Sequence, residues 1–170
     1  MKKHMFYIFA MLLILVFPAC ANQSTHIQKP AVFYYCTSSI SFESEQGVIA
    51  SEIRESALYE HDLTALINYY MRGPNSSDLT SPFPTGSAVL WINQNDDGII
   101  LVMNQQFSQL TGINLSLACS CLSKTVFTVS DTESITIRCR ESTLDGNETI
   151  TMTRNSILVQ DKARTPLPAE

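Results

Sequence analysis

HDLTALINYYMRGP, residues 61–74, carries the most secure secondary-structure signal in the chain. Leu63, Leu66, Ile67, Tyr70 and Met71 fall at i, i+3, i+4, i+7 and i+8, which is one apolar stripe along a helix. Asp62 stands where a side-chain oxygen can accept a backbone N–H and cap the first turn. Gly73 and Pro74 end the pattern, because glycine takes the left-handed conformation and proline cannot continue a helix.

Downstream, NSSDLTSPFPTGS (75–87) has the composition of a loop. AVLWINQ (88–94) and GIILVMN (98–104) follow, joined through NDDG (95–98), a hairpin signal. Ile99 to Met103 is apolar on both faces, which predicts a central strand covered on two sides. Ser108 to Gly112 links into a second helix expected over 114–128, where Leu115, Cys119, Leu122 and Val126 make one buried stripe. Ile135, Ile137 and Cys139 then alternate with Thr136, Arg138 and Arg140 as a strand. A turn at Asp145–Asn147 and an edge strand at Thr149–Thr153 complete this part. Upstream, VFYYC (32–36) is β-branched and aromatic. Ile49, Ser51 and Ile53 alternate with Ala50, Glu52 and Arg54, a second strand with one wet face. The order β-β-α-β-β-α-β predicts an α/β (α+β) two-layer sandwich, with two helices on one face of a mixed β-sheet.

The N-terminus answers a different question. Lys2 and Lys3 precede an apolar run from Met5 to Phe17, too short to span a bilayer, which takes about 20 apolar residues. In LVFPACANQS (15–24) small Ala19 is followed by Cys20, and the chain turns polar at once. This pattern resembles a bacterial lipobox: residues 1–19 are read as a signal peptide and Cys20 as the diacylated first mature residue. Two acyl chains anchor a protein stably where one does not. Residues 20–30 read as a polar tether, 31–160 as one folded domain and 161–170 as a flexible tail. The expected location is the extracytoplasmic face of the cell membrane, with the membrane as a partner through the lipid anchor.

Charge and motifs bound the chemistry. The 170-residue chain has net charge −5; removal of Lys2 and Lys3 leaves 9 basic against 16 acidic residues, or −7. An acidic chain without a basic cluster argues against nucleic acid as a partner. Past the signal peptide the histidines are His26, in the tether, and His61, beside the helix cap. A nucleophile needs a base within hydrogen-bond reach, and a solvated residue before a helix start explains His61 better than catalysis does. There is no G-x-S-x-G, H-E-x-x-H or G-x-x-x-x-G-K-[ST]. Asn93 to Gly98 resembles the start of a calcium loop, yet position 12 is Asn104 instead of a bidentate Glu. A hairpin turn accounts for the same residues. No catalytic residue, metal or cofactor is assigned.

Cys36, Cys119, Cys121 and Cys139 remain after the lipid site. Outside the cytoplasm four cysteines allow two disulfides in three connectivities. Cys119 and Cys121, two apart on a helix, point to roughly opposite sides, which argues against a mutual bridge or a shared metal. Cys36 and Cys139 lie at strand ends and would be neighbours if those strands pair, so a Cys36–Cys139 disulfide is one expectation. The other is that all four are small buried hydrophobes.

LINYYMRGP, then SPFPTGSAVLWINQNDDGIILVMNQQF, then a helix and ITIRC, resemble the GerM domain of sporulation and spore-germination lipoproteins. The matching positions are Gly73 and Pro74 at the helix end, Pro84 and Gly86 before a strand, Gly98 in the hairpin, and Phe107 before the second helix. Each motif alone is ordinary turn chemistry; their order and spacing over about residues 31–140 carry the match. Leu101 to Asn104 stands where family members often have Val-Asp-Leu-Ser, so the usual acidic residue is absent. The resemblance implies a non-catalytic domain, similar to ring-building modules, that works through contacts with other envelope proteins or with further copies of itself. Tyr69, Tyr70, Phe83 and Trp91 are candidates for such contacts. The alternative is a small-molecule-binding or hydrolytic envelope lipoprotein, which would need a pocket with convergent polar groups.

Overall fold

The computed structural model describes residues 30–38, 47–55 and 62–156. The signal peptide, Cys20, the tether up to residue 29, His26, His61 and the tail from 161 lie outside the described residues.

Among the described residues ten elements follow in order: β1 (Pro30–Thr37), β2 (Ile49–Glu55), α1 (Leu63–Tyr70), β3 (Leu79–Thr80), β4 (Val89–Asn95), β5 (Gly98–Met103), a 3-10 turn (Phe107–Gln109), α2 (Gly112–Val129), β6 (Ser134–Cys139) and β7 (Ile150–Thr153). The α+β sandwich class is as the sequence predicts. The strands, however, divide into two sheets: a three-stranded antiparallel one in the order β2-β1-β3, and a four-stranded mixed one in the order β4-β5-β6-β7. Among the described strands only β5 and β6 pair in parallel, with α2 making the crossover.

The expected single sheet fails to form because side chains occupy the strand edges that would have to meet. Along Val32 and Tyr34 the edge of β1 faces helices. The Tyr34 N–H donates to Thr125 Oγ1 at 3.0 Å, and the Val32 carbonyl accepts from Thr128 Oγ1 at 3.1 Å. The Tyr34 carbonyl accepts from the Tyr70 hydroxyl. On the other side the Asn68 amide of α1 acts as a one-residue strand partner for the start of β4. Its Nδ2 donates to the Val89 carbonyl and its Oδ1 accepts the Val89 N–H, both at 2.9 Å. Buried backbone groups need partners, and these hydroxyls and amides supply them. Helix α1 therefore seams the two sheets, holding β1 through Tyr70 and β4 through Asn68.

The core sits between these layers. Asp62 caps α1 by accepting the Ala65 N–H at 2.9 Å, and Leu66, Ile67 and Tyr70 are buried as the stripe predicts. Leu115, Cys119, Leu122 and Val126 of α2 are likewise buried. Central β5 buries Ile99, Leu101, Val102 and Met103. Phe33, Tyr35, Tyr70, Phe83 and Phe107 form a run of ring contacts through this interior, with successive centroids 4.9 to 6.3 Å apart.

The sequence reading of β2 is reversed in one respect. The strand alternates as expected, but Arg54 points inward and is 7% exposed, while Ile53 points out and is 69% exposed. The register explains this: Phe33 opposes Glu52 and Tyr35 opposes Ala50, so 50, 52 and 54 share the face of the buried aromatics. Short β3, in the segment expected to be loop, pairs Leu79 and Thr80 with Thr37 and Cys36.

Candidate functional site

The densest polar arrangement among the described residues surrounds Arg54. Its guanidinium pairs with Glu52, two residues back on the same face of β2, and Nη2 donates to the Gly73 carbonyl at 2.7 Å. It lies over three rings, 5.3 Å from the centroid of Phe33, 5.4 Å from Tyr69 and 5.6 Å from Tyr35. A desolvated guanidinium on aromatic faces is held by both quadrupole and stacking attraction. Glu52 in turn accepts the Asn75 and Ser76 N–H groups, each at 2.9 Å. The Tyr35 hydroxyl donates to the carbonyls of Tyr70, at 2.7 Å, and of Gly73, at 3.1 Å.

The electrostatics match that geometry. Burial alone would raise the Glu52 carboxyl, but the Ser76 N–H, Arg54 and the Asn75 N–H outweigh it and hold the pKa below the usual value. Burial works against the Arg54 charge as well, and Glu52 and the surrounding partners restore it, so its pKa is raised. Burial pushes both the Tyr35 and Tyr70 phenols up, which keeps them neutral donors.

Arg54, Tyr35 and Glu52 all bind backbone groups of the turn after α1. Gly73 has φ +107°, a conformation L side chains rarely adopt, and its carbonyl is turned to receive both Arg54 and Tyr35. The Gly-Pro pair read from the sequence as a helix stop is thus the acceptor end of a buried network. Pro84 and Gly86 close a second turn, with Ser87 N–H to the Pro84 carbonyl at 3.0 Å and Asn104 Nδ2 to the Gly86 carbonyl at 2.8 Å. Asn104 also takes the Ala88 N–H on Oδ1 at 3.1 Å. These turns position elements, as expected of them.

The cysteines are placed differently from the expectation. β1 and β6 belong to different sheets, so the strand pairing that would have joined Cys36 to Cys139 is absent. All four are free thiols. Cys119 and Cys121 do diverge from one helix: Cys121 faces the Cys36 thiol on β1, and Cys119 faces Cys139 on β6. Burial pushes Cys119 up to about 12. Cys139 donates to the Asn104 carbonyl at 3.6 Å.

Among the described residues, no group of three or more His, Cys, Asp or Glu side chains converges as a metal site. The hairpin tip is a turn in which the Gly98 N–H caps on Asn95 Oδ1 at 3.1 Å. The surface is more informative. β4 is an edge strand, exposed from Leu90 to Asn95 except at Ile92. Leu90 and Trp91, each 40% exposed, stand side by side there, next to a bulge that breaks the ladder between Val89 and Trp91. The Arg140 guanidinium lies 5.7 Å from the Trp91 ring. Of the aromatics expected to supply contacts, Tyr70 and Phe83 are buried, Tyr69 is half-buried, and Trp91 faces solvent. The alternation of β4 alone does not single out Trp91; the edge position does.

No protein-family model matches the sequence. No curated protein matches it either. Solved structures do match by shape. The tandem GerMN domains of the sporulation protein GerM from Bacillus subtilis superpose with a TM-score of 0.53 at 21% identity, covering 78% of this chain. This chain spans 45% of that tandem structure. The first GerMN domain of the same protein superposes with a TM-score of 0.52 at 11% identity, covering 79% of this chain and 99% of that one. These superpositions show that this chain has the fold of the GerMN domains.

Proposed function

We propose that the protein is a non-catalytic, lipid-anchored contact domain of the cell envelope, serving sporulation or spore germination, with β4 as its contact edge. The observation that carries this reading is the exposure of two consecutive large apolar residues, Leu90 and Trp91, on an edge strand. An edge strand offers unpaired backbone groups to another chain, and an exposed Trp beside an Arg is the kind of anchor that dominates interfaces. The buried polar groups support the same reading, since Arg54, Glu52 and Tyr35 are committed to closing a turn. The lipobox at Cys20 supplies the tether, and the GerM-like domain supplies the link to sporulation.

The test replaces Leu90 and Trp91 together by arginine in the full chain. The altered protein is expected to fold and to fractionate with membranes, yet to fail in complementing a deletion strain during sporulation. Full complementation by the double variant would contradict the reading, as would turnover of a substrate by the purified chain. Cys20→Ser is expected to release the protein from the membrane fraction, and retention there would refute the anchor.

A further inference from the structure

Helix α2 runs antiparallel to β1 in a repeating register. Thr128 meets Val32 at 3.1 Å and Thr125 meets Tyr34 at 3.0 Å, with the Lys124 ammonium 4.8 Å from the Tyr34 ring. Two residues advance a strand by about 6.6 Å, and three or four advance a helix by about 4.5 to 6 Å. The next step of the register brings Cys36 against Cys121. That register sets the two thiols next to each other, and each perturbs the other.

We propose that Cys36 and Cys121 are a dithiol site that a disulfide-bearing oxidant converts into an intramolecular disulfide, locking α2 onto β1. The two thiols divide the chemistry by position. Cys36 is partly exposed at the end of β1, beside the two-residue strand β3. It is the more accessible of the two, so it is the attacking thiol. Cys121 is fully buried and meets the oxidant only through Cys36, so it is the resolving thiol. The Cys36 thiolate attacks one sulfur of the oxidant disulfide, forming a mixed disulfide and expelling the first thiolate, which takes up the Cys36 proton. Cys121 then loses its proton, attacks the Cys36 sulfur and expels the second thiolate, which takes up that proton. Two electrons pass to the oxidant, and two oxidant thiols leave. Cys119 and Cys139 stay reduced, because both are buried and neither has a partly exposed partner thiol through which an oxidant could enter.

The bond would close a long loop between strand and helix, which constrains the unfolded chain. It would do so one step beyond Val32 and Tyr34, where side-chain hydroxyls of α2 hold β1.

The test treats the full chain, purified in detergent, with oxidised glutathione and then counts thiols under denaturing conditions. The untreated and treated proteins are expected to differ by two thiols, with the peptide carrying Cys36 linked to the one carrying Cys119 and Cys121. Cys119→Ser and Cys139→Ser are expected to lose two thiols as well. Cys121→Ser is expected to stop at one glutathione on Cys36. The oxidised wild type is expected to unfold several °C higher than the reduced form, of the order that a constraint of this kind gives. Four thiols surviving oxidation would overturn the proposal, as would a pair that still forms in Cys121→Ser. If Cys121→Ser does not fold, loss of the link in Cys119→Ser overturns it instead.

Discussion

The Arg54 guanidinium and the Gly73 carbonyl meet at 2.7 Å inside the protein, joining the second strand to the turn that ends the first helix. Gly73 has no side chain to offer and Arg54 has five donors, so the contact depends on backbone conformation at one end and charge at the other. Arg54→Ala removes the partner of Glu52 and leaves a carboxylate with 12% of its side chain exposed and no cation beside it. Such a loss costs about 3 kcal/mol or more. Urea unfolding of the variant is expected to show it, and Arg54→Lys is expected to fall between, because an ammonium cannot serve Glu52, Gly73 and the ring faces together.

The same pair sets an acid limit. Glu52 has its folded pKa depressed, so its contribution is fully present above the unfolded value of about 4.3. It is lost as pH falls through the lower folded pKa. The thermal midpoint is therefore expected to drop from about pH 5 downward, and Glu52→Gln is expected to flatten that limb while lowering stability at neutral pH. An unchanged acid limb in Glu52→Gln would remove Glu52 from this role.

Asn68 joins α1 to β4 by two hydrogen bonds to one residue, Val89. Asn68→Leu leaves both backbone groups without their partner and is expected to cost about 2 kcal/mol. Hydrogen exchange at the Val89 amide reads this locally: it is expected to speed up in the variant more than exchange at central β5 does.

Gly98 sits where the hairpin meets the start of β6. A Cβ there would lie 2.5 Å from the Ser134 carbonyl oxygen, and φ is +144°. Gly98→Ala is expected to destabilise by about 2 kcal/mol. Adding Ser134→Ala is not expected to rescue it, since the obstruction includes backbone. A thermal melt of the two variants checks both statements.

Period and turn chemistry made most elements legible in the sequence. The stripes of α1 and α2, the two-sided burial of β5 and the Gly73 stop all follow from local rules, because burial there is set by one face of one element. What required the structure was pairing at a distance. Nothing local says that Asn68 completes the edge of β4, or that Thr125 and Thr128 take the place of a strand beside β1. The inward turn of Arg54 shows the same limit. Alternation marks the two faces of β2, but the choice between them came from three aromatic rings on other elements. Of the candidate contact residues, Trp91 was visible as an aromatic, but its exposure follows from the edge position of β4.

Protein contact through β4 is the claim on which the functional reading rests, and cross-linking from the strand itself tests it most directly. A photoreactive amino acid placed at exposed Asn93 in the full chain, irradiated in sporulating cells, is expected to give a discrete protein adduct. The adduct is expected to vanish when Leu90 and Trp91 are both arginine. An adduct pattern no different from that of the same group at exposed Glu148, away from β4, would contradict the account.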